Sequence, residues 1–415
     1  MKPYYDEKEC QAPEGREAKL LAALPKQLAY ATVQCPYYQQ LLADLEVASI
    51  TSRELLATLP ITRKSDLIEM QRNTPLFAGV DAACANIGRL FQSPGPINDP
   101  EGEGNDWWRM GRAFYAAGFR TADKVQNCLS YHLTPGGFIM DSGAKACGCV
   151  VIPAGPGQTE QQLNVIENLK PEGFCGTPSF LKILLDKAQQ QGRDISSITK
   201  ALVTGEALPE SLRHEISAQG VSVLQAYASA DVGLIAYESD ALSGLIVAED
   251  IIVEIVRPGS QEPVQPGEVG EVVITNFSAD YPLVRFATGD LSAVLPGESP
   301  CGRSNMRIKG WLGRADQTAK IKGMFVHPVQ IERVLKSHAE LAKLRLSISR
   351  VNGNDHMLLQ CELASDVAQD KLAGLIKDVA SSLQVASNLN GEVEIVASGS
   401  LANDGKIIDD LRSLD

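Results

Sequence analysis

Several short stretches of the chain carry residue types whose spacing suits nucleotide chemistry. In VRFATGDL (284–291), Asp290 follows Thr288 and Gly289 at the end of an apolar run. A carboxylate beyond a tight glycine turn can accept two hydroxyl hydrogen bonds, which is what a ribose offers. VTGEALP (203–209) places Gly205 and Glu206 directly after another apolar run, where ligands bind in open α/β sheets. GRADQTAKIKG (313–323) carries Arg314 and Asp316, and NDGKIIDD (403–410) offers Lys406 on a glycine-flanked loop. Taken singly, Asp290 reads as a turn aspartate and Lys406 as a solvated lysine. FQSPGPINDPEG (91–102) raises a sharper question. It stands where a nucleotide-binding enzyme keeps a phosphate loop, yet it holds three prolines and two acids.

Common alternatives are missing. There is no G-x-S-x-G elbow and no G-x-x-x-x-G-K-[ST] loop, and GPGQTE lacks the last glycine of G-x-G-x-x-G. His132, His214, His327 and His338 do not have the H-E-x-x-H spacing. Nine scattered cysteines read as reduced thiols. Cys147 and Cys149 in ACGCVVIP would share one face of a strand, as buried core thiols rather than as a metal pair.

The elements that must position these residues follow from periodicity. Residues 16–45 read as helical, with Leu20, Leu21, Leu24 and Leu28 on one face. From 105 to 245, apolar strands alternate with helices, which predicts a parallel sheet covered by helices. After 245, IIVEIVRPG and GEVVITNFS read as antiparallel strands of a barrel-like region. From about 313 the texture becomes α+β. VHPVQIERVLKSH reads as a helix entered at Pro328, LRLSISRVNGNDHMLLQCEL as a hairpin about Asn352-Gly353, then come a long helix and the strand EVEIVAS. The expected architecture is α/β, with a large domain over 1–312 and a small mobile α+β domain over 313–415. The length of 415 residues accords with two domains, and 44% apolar with 21% charged residues is ordinary for a globular enzyme. A net charge of −13 disfavours nucleic acid and anionic membranes as partners. The N-terminal MKPYYDEKEC has no signal-peptide pattern, so the cytoplasm is the expected compartment.

The order of these pieces carries a resemblance. EAKLLAALPKQLAYATVQCPYYQQLL, LPITRKSDL, GFRTADKVQN, VVIPAGPGQTEQQ, GTPSFL, VTGEALP, RFATGDL, GR-x-D and KGMFVHPVQIE follow one another over roughly 16–412. This series resembles the phenylacetate–CoA ligase family, a branch of the adenylate-forming acyl-CoA synthetases. The resemblance implies that a carboxylic acid, ATP with Mg2+, and CoA are converted to an acyl-CoA through an acyl-adenylate. It further implies that Gly205, Glu206, Ala207 and Tyr227 surround the adenine, that Asp290 holds the ribose, and that Arg314 reaches the nucleotide. Asp316 becomes the hinge of the tail domain, Lys406 bridges the carboxylate and the α-phosphate, and Lys322-Gly323 line the CoA channel. Tyr131, His132, Pro135 and Gly136 with Gly176-Thr177 become the acyl pocket.

Two departures stand out. Family members carry S-S-G-T-T-G-x-P where this chain has Ser93, Pro94, Gly95 and Pro96, so two backbone N–H donors are missing. Asp99, Glu101, Glu103 and Asp106 then place negative charge beside the expected pyrophosphate. YASADVG replaces Y-G-x-[ST]-E, which leaves Asp231 as the Mg2+ ligand and Ser229 as the neighbouring hydroxyl. The alternatives are a non-adenylating homologue that binds AMP or an acyl-CoA, and an acyltransferase fed by an activated acyl group made elsewhere.

Overall fold

A computed structural model describes residues 3–93, 96–321, 324–351, 354–364, 369–402 and 406–412. The chain forms two compact units, Met1–Thr288 with Ser292–Trp311, and Gly289–Leu291 with Leu312–Asp415.

In the first unit, β1 (Thr62–Arg63) is followed by the hairpin strands β2 (Ile87–Ser93) and β3 (Ile97–Gly102). The alternating region then gives β4 (Lys124–Asn127), β5 (Val150–Pro153), β6 (Gly173–Gly176), β7 (Lys200–Val203) and β8 (Ser222–Ser229). Helices Gly136–Ala146, Thr159–Leu169, Pro178–Gln191 and Glu210–Ala218 separate them. These strands pair in parallel, as the alternation predicts. The unit continues through β9 (Gly233–Tyr237), β10 (Leu245–Val247), β11 (Ile251–Val256), β12 (Gly270–Asn276), β13 (Phe286–Ser292), β14 (Val294–Leu295) and β15 (Arg307–Ile308). A nine-stranded sheet has the order β14-β15-β10-β9-β8-β7-β6-β4-β5.

The position of β4 matters most for function. It pairs with β5 on one side and β6 on the other, so the chain leaves in one direction and returns in the opposite one. That reversal opens a crevice beyond the carboxyl ends of the strands, where ligands bind in such sheets. The expected barrel-like region is an open four-stranded sheet, β1-β13-β12-β11, with β1 and β11 at its edges. Ile251 pairs with Asn276 and Val256 with Glu271 in its antiparallel part.

Two local expectations need correction. The helical pattern over 16–45 is two helices, Pro13–Gln34 and Pro36–Leu41. Cys35 is extended because Pro36 disfavours a helical residue before it. Cys147 and Cys149 do not share a strand. Cys147 caps the helix Gly136–Ala146, and Gly148 at φ +79 turns the chain before β5. Both thiols are buried, with Sγ donating to Gly111 O at 2.9 Å and Arg120 O at 3.3 Å.

The second unit holds β16 (Ala319–Ile321), β17 (Met324–Val326), β18 (Leu341–Val351), β19 (Asn354–Leu363), β20 (Glu392–Val396) and β21 (Ile408–Asp410). Four of them form a sheet in the order β20-β19-β18-β21. Helix Pro328–Lys336 starts with a capping box between His327 and Gln330. Its Ile331 and Val334 pack in one core with Leu346, Leu359 and Leu383. Asn352-Gly353 lie outside the described residues, but Val351 and Asn354 pair across them as a hairpin requires. No helix among the described residues is long and apolar enough to cross a membrane.

Candidate nucleotide and acyl site

The residues read from the sequence fall into two sets, one in each unit. In the first unit, most lie at the carboxyl ends of adjacent parallel strands. Gly176 ends β6 and faces Val203 at the end of β7. Thr204 N–H then donates to Gly176 O at 3.0 Å, which joins the two strand ends. Gly205 has φ +82, a conformation that favours glycine, and it leads into the exposed Glu206 and Ala207. Thr177 caps helix Pro178–Gln191 by accepting from Phe180 N–H at 3.3 Å. Tyr227 lies in β8, its ring buried and its hydroxyl 3.3 Å from Thr288 Oγ1. Ser229 closes β8 and accepts from Val232 N–H at 3.2 Å.

The loop after β4 is organised by a residue with no sequence signal of its own. Asn127 is fully buried and donates to Tyr131 Oη at 2.7 Å and to Gly137 O at 2.8 Å. It also accepts from Leu129 N–H at 3.1 Å. Its position at the end of a strand beside a switch point was the available clue. Tyr131 is half-buried, and burial holds its phenol above the ordinary range. Its ring meets Phe138 at 5.1 Å, Phe138 meets Phe91 at 5.3 Å, and Phe91 meets Trp108 at 6.1 Å. Pro135 is buried and Gly136 begins the following helix, whereas His132 faces solvent. Gly137 is the tighter position: an added Cβ would lie 2.8 Å from Ser130 O and from the Tyr131 ring. Gly137→Ala should therefore displace the 130–136 loop and cost about 1–3 kcal/mol. A urea midpoint equal to that of the parent protein would show that the loop yields freely.

The described residues of FQSPGPINDPEG lie on the paired strands β2 and β3, with Ser93 opposite Ile97. Pro94 and Gly95 lie outside the described residues. The hairpin is tied to the loop after β4, because Gln92 N–H donates to Leu133 O at 2.8 Å. Its acids do not form one negative surface. Glu101 pairs with Arg89 at 2.7 Å, Asp106 is half-buried and accepts from Gly111 N–H at 2.8 Å, and Asp99 is completely buried. Burial, and then the adjacent Asp231 charge, push the Asp99 carboxyl well above the ordinary carboxylate range.

Asp231 is buried as well. Its Oδ2 accepts from Lys64 Nζ at 2.6 Å, and its Oδ1 has no hydrogen-bond partner. Among the described residues no group of three or more His, Cys, Asp or Glu is gathered as a metal centre. Mg2+ needs fewer, since it commonly takes one or two carboxylates and completes its shell with water and phosphate oxygens. The open Oδ1 of Asp231 fits that requirement.

In the second unit, Arg314 Nη1 donates to Asp290 Oδ1 at 3.3 Å, and the two residues form an isolated β-bridge. A Cβ on Gly289, φ +78, would lie 2.7 Å from Arg314 Nη2, so glycine is what lets the guanidinium approach. Asp316 sits in a short 3-10 turn, Ala315–Gln317, and its side chain lies outside the described residues, as do Lys322 and Gly323. Lys406 is exposed and pairs with Asp409 at 3.2 Å. Ile407 N–H donates to Gln317 Oε1 at 2.7 Å, which anchors the start of the last strand to the 3-10 turn.

Comparison with known proteins identifies the family. Residues 109–278 match the family model of AMP-binding enzymes, and 323–409 match that of the AMP-binding enzyme C-terminal domain. A phenylacetate-coenzyme A ligase of Pseudomonas putida is 30% identical over 397 residues, covering 90% of this chain and 88% of the relative. One of Thermus thermophilus is 29% identical over 363 residues, covering 83% and 80%. A crystal structure of 2-hydroxyisobutyryl-CoA ligase in an open conformation, with 2-HIB-AMP and CoA, shares the fold. Its TM-score is 0.84 at 23% identity, with 99% of this chain and 95% of that one covered. The chain belongs to the phenylacetate–coenzyme A ligase family of adenylate-forming enzymes.

Proposed function

We propose that the protein is an AMP-forming acid–CoA ligase acting on an aryl or related carboxylic acid. The observation that carries the reading is the match to phenylacetate-coenzyme A ligases over nearly the whole of both chains. A carboxylate is a poor acyl donor, so it first needs a good leaving group. In the first step a carboxylate oxygen attacks the α-phosphorus of ATP, the bond to the β-phosphate breaks, and pyrophosphate departs. In the second step the CoA sulfur attacks the acyl carbon and AMP leaves.

Within this reading Gly205, Glu206, Ala207 and Tyr227 surround the adenine. Asp290 accepts from the ribose hydroxyls, and Arg314 orients its carboxylate. Lys406 supplies charge to the carboxylate and α-phosphate as the new bond forms. Ser229 offers a hydroxyl near the α-phosphate. Asp231 holds Mg2+, which neutralises phosphate charge when bound. Tyr131, Pro135 and Gly136 with Gly176-Thr177 wall the acyl group. The ring row Phe91–Phe138–Tyr131 gives that region the apolar character an aryl acid requires. Asp316 is the hinge between the two steps, and Lys322-Gly323 border the CoA path.

Asp290→Ala should weaken AMP binding about 10- to 100-fold, the scale of losing a charge-assisted hydrogen-bond pair. Isothermal calorimetry with AMP checks this, and an unchanged affinity would remove the ribose role. Calorimetry also separates the second reading, an AMP-binding homologue without adenylation. The missing backbone N–H donors of Pro94 and Pro96 and the engagement of Asp231 by Lys64 favour that alternative. Mg-ATP that binds at least as tightly as AMP supports the ligase. AMP binding with no ATP binding supports the alternative.

A further inference from the structure

We propose that Asn127 is the positioning residue of the acyl site: its side chain fixes the 129–137 loop, and through that loop the placing of the acid rather than of the nucleotide. The effect on the acid rests on the ligase reading; the hold on the loop does not.

Asn127 is the last residue of β4 and is 0% exposed. Both polar atoms of its side chain serve the loop that follows. Nδ2 donates to Tyr131 Oη at 2.7 Å and to Gly137 O at 2.8 Å, while Oδ1 accepts from Leu129 N–H at 3.1 Å. One amide thus holds the loop at its start, its middle and its end. The residue that carries the amide is itself anchored. Asn127 O accepts from Ala154 N–H and Gly155 N–H, each at 3.0 Å, just beyond the end of β5. Gln162, on the helix Thr159–Leu169, donates to Gly155 O at 2.8 Å and holds that segment in turn.

The Tyr131 hydroxyl is engaged from two sides. It accepts from Asn127 and donates to Asp141 Oδ1 at 3.5 Å, and Asp141 is paired with Lys145 at 2.6 Å. With its hydroxyl held, Tyr131 offers the loop's surroundings its ring, which stands edge-on to Phe138. A buried network whose members are all satisfied is rigid and selects one geometry. Removing the amide takes away the acceptor of Leu129 N–H and releases Tyr131. The residues assigned to the adenine, Gly205–Ala207 and Tyr227, come from the ends of β7 and β8 instead. A displaced 129–137 loop therefore acts on the acid, and a misplacement of about 1 Å can cost roughly 100-fold in rate.

Asn127→Ala is compared with the parent chain in two measurements. The first is amide hydrogen–deuterium exchange, with no ligand added. Exchange over 129–137 should quicken about 10- to 100-fold, the scale of losing buried hydrogen bonds. It should stay unchanged over 154–157, because those bonds run to the main chain of residue 127. The second is ATP–pyrophosphate exchange, with the best acid of a panel containing phenylacetate and benzoate as the probe. KM for the acid should rise about 10- to 100-fold, while KM for ATP stays within a few-fold. Unchanged deuterium exchange over 129–137 overturns the hold on the loop. An unchanged KM for the acid, or equal rises for acid and ATP, overturns the positioning role. Should Asn127→Ala fail to fold, Tyr131→Phe deletes one hydroxyl of the network and keeps the ring. Quicker exchange over 129–137 together with a raised KM for the acid then supports the proposal, and the failure of either overturns it. A parent chain with no acid-dependent exchange across the panel rejects the ligase, and the acyl role with it. Deuterium exchange then still decides whether Asn127 holds the loop.

Discussion

Lys406→Ala should lower acid-dependent ATP–pyrophosphate exchange by about 100- to 1,000-fold, the scale of losing one group aimed at developing transition-state charge. The fold should be almost untouched. The Lys406 side chain is 52% exposed, and its ion pair with Asp409 is of the surface kind that contributes about 0–1 kcal/mol. AMP affinity should stay within a few-fold, because the role assigned to Lys406 concerns the reacting carboxylate and α-phosphate rather than the adenosine. Exchange kinetics with calorimetry on the same preparation separates the two effects. Normal exchange in the variant would remove Lys406 from the reaction, whatever its effect on binding.

The largest structural effect is expected at Arg285. Its side chain is 0% exposed. Nε and Nη2 donate to the two oxygens of Glu254, each at 3.1 Å. Nη1 donates to Ala57 O at 2.8 Å and Leu59 O at 2.5 Å, and Nη2 to Gln261 O at 3.0 Å. One guanidinium thus ties β11, the start of β13 and the segment 57–59 that leads into LPITRKSDL. Arg285→Met keeps the volume but strands Glu254, which burial already pushes above its ordinary value and only Arg285 and Arg53 draw down. Leaving one member of a buried pair uncompensated costs about 3–5 kcal/mol. The deficit should shrink as pH falls, because an unpaired buried glutamate is relieved by protonation. Adding Glu254→Gln should recover part of the loss. Denaturant unfolding at two pH values measures both, and a deficit below about 1 kcal/mol would contradict the role.

Arg285 also illustrates what was legible in the sequence. The motif RFATGDL was visible, but its arginine had no assigned task, because burial against Glu254 and the 57–59 carbonyls depends on contacts far apart in the chain. Strand–helix alternation was readable because it is local and periodic. It placed Gly176-Thr177, Gly205–Ala207 and Tyr227 at strand ends, where the parallel pairing of β6, β7 and β8 brings them into register. Asn127 escaped notice because a single asparagine after a short strand has no periodic signature. Asp99 was read as a solvent-facing repulsive charge. Asp99 pairs with Phe91 across the hairpin and is fully buried, which the acidic composition of the stretch does not reveal. The cysteine pair was misread because Gly148, at positive φ, ends a helix where period-two spacing alone suggested a strand.

The most direct test of the account is AMP release from Mg-ATP by the purified chain, with a panel of aryl carboxylic acids and CoA. The account predicts AMP that requires both the acid and ATP and matches the acyl-CoA formed mole for mole. AMP binding without acid-dependent AMP release across that panel would contradict it.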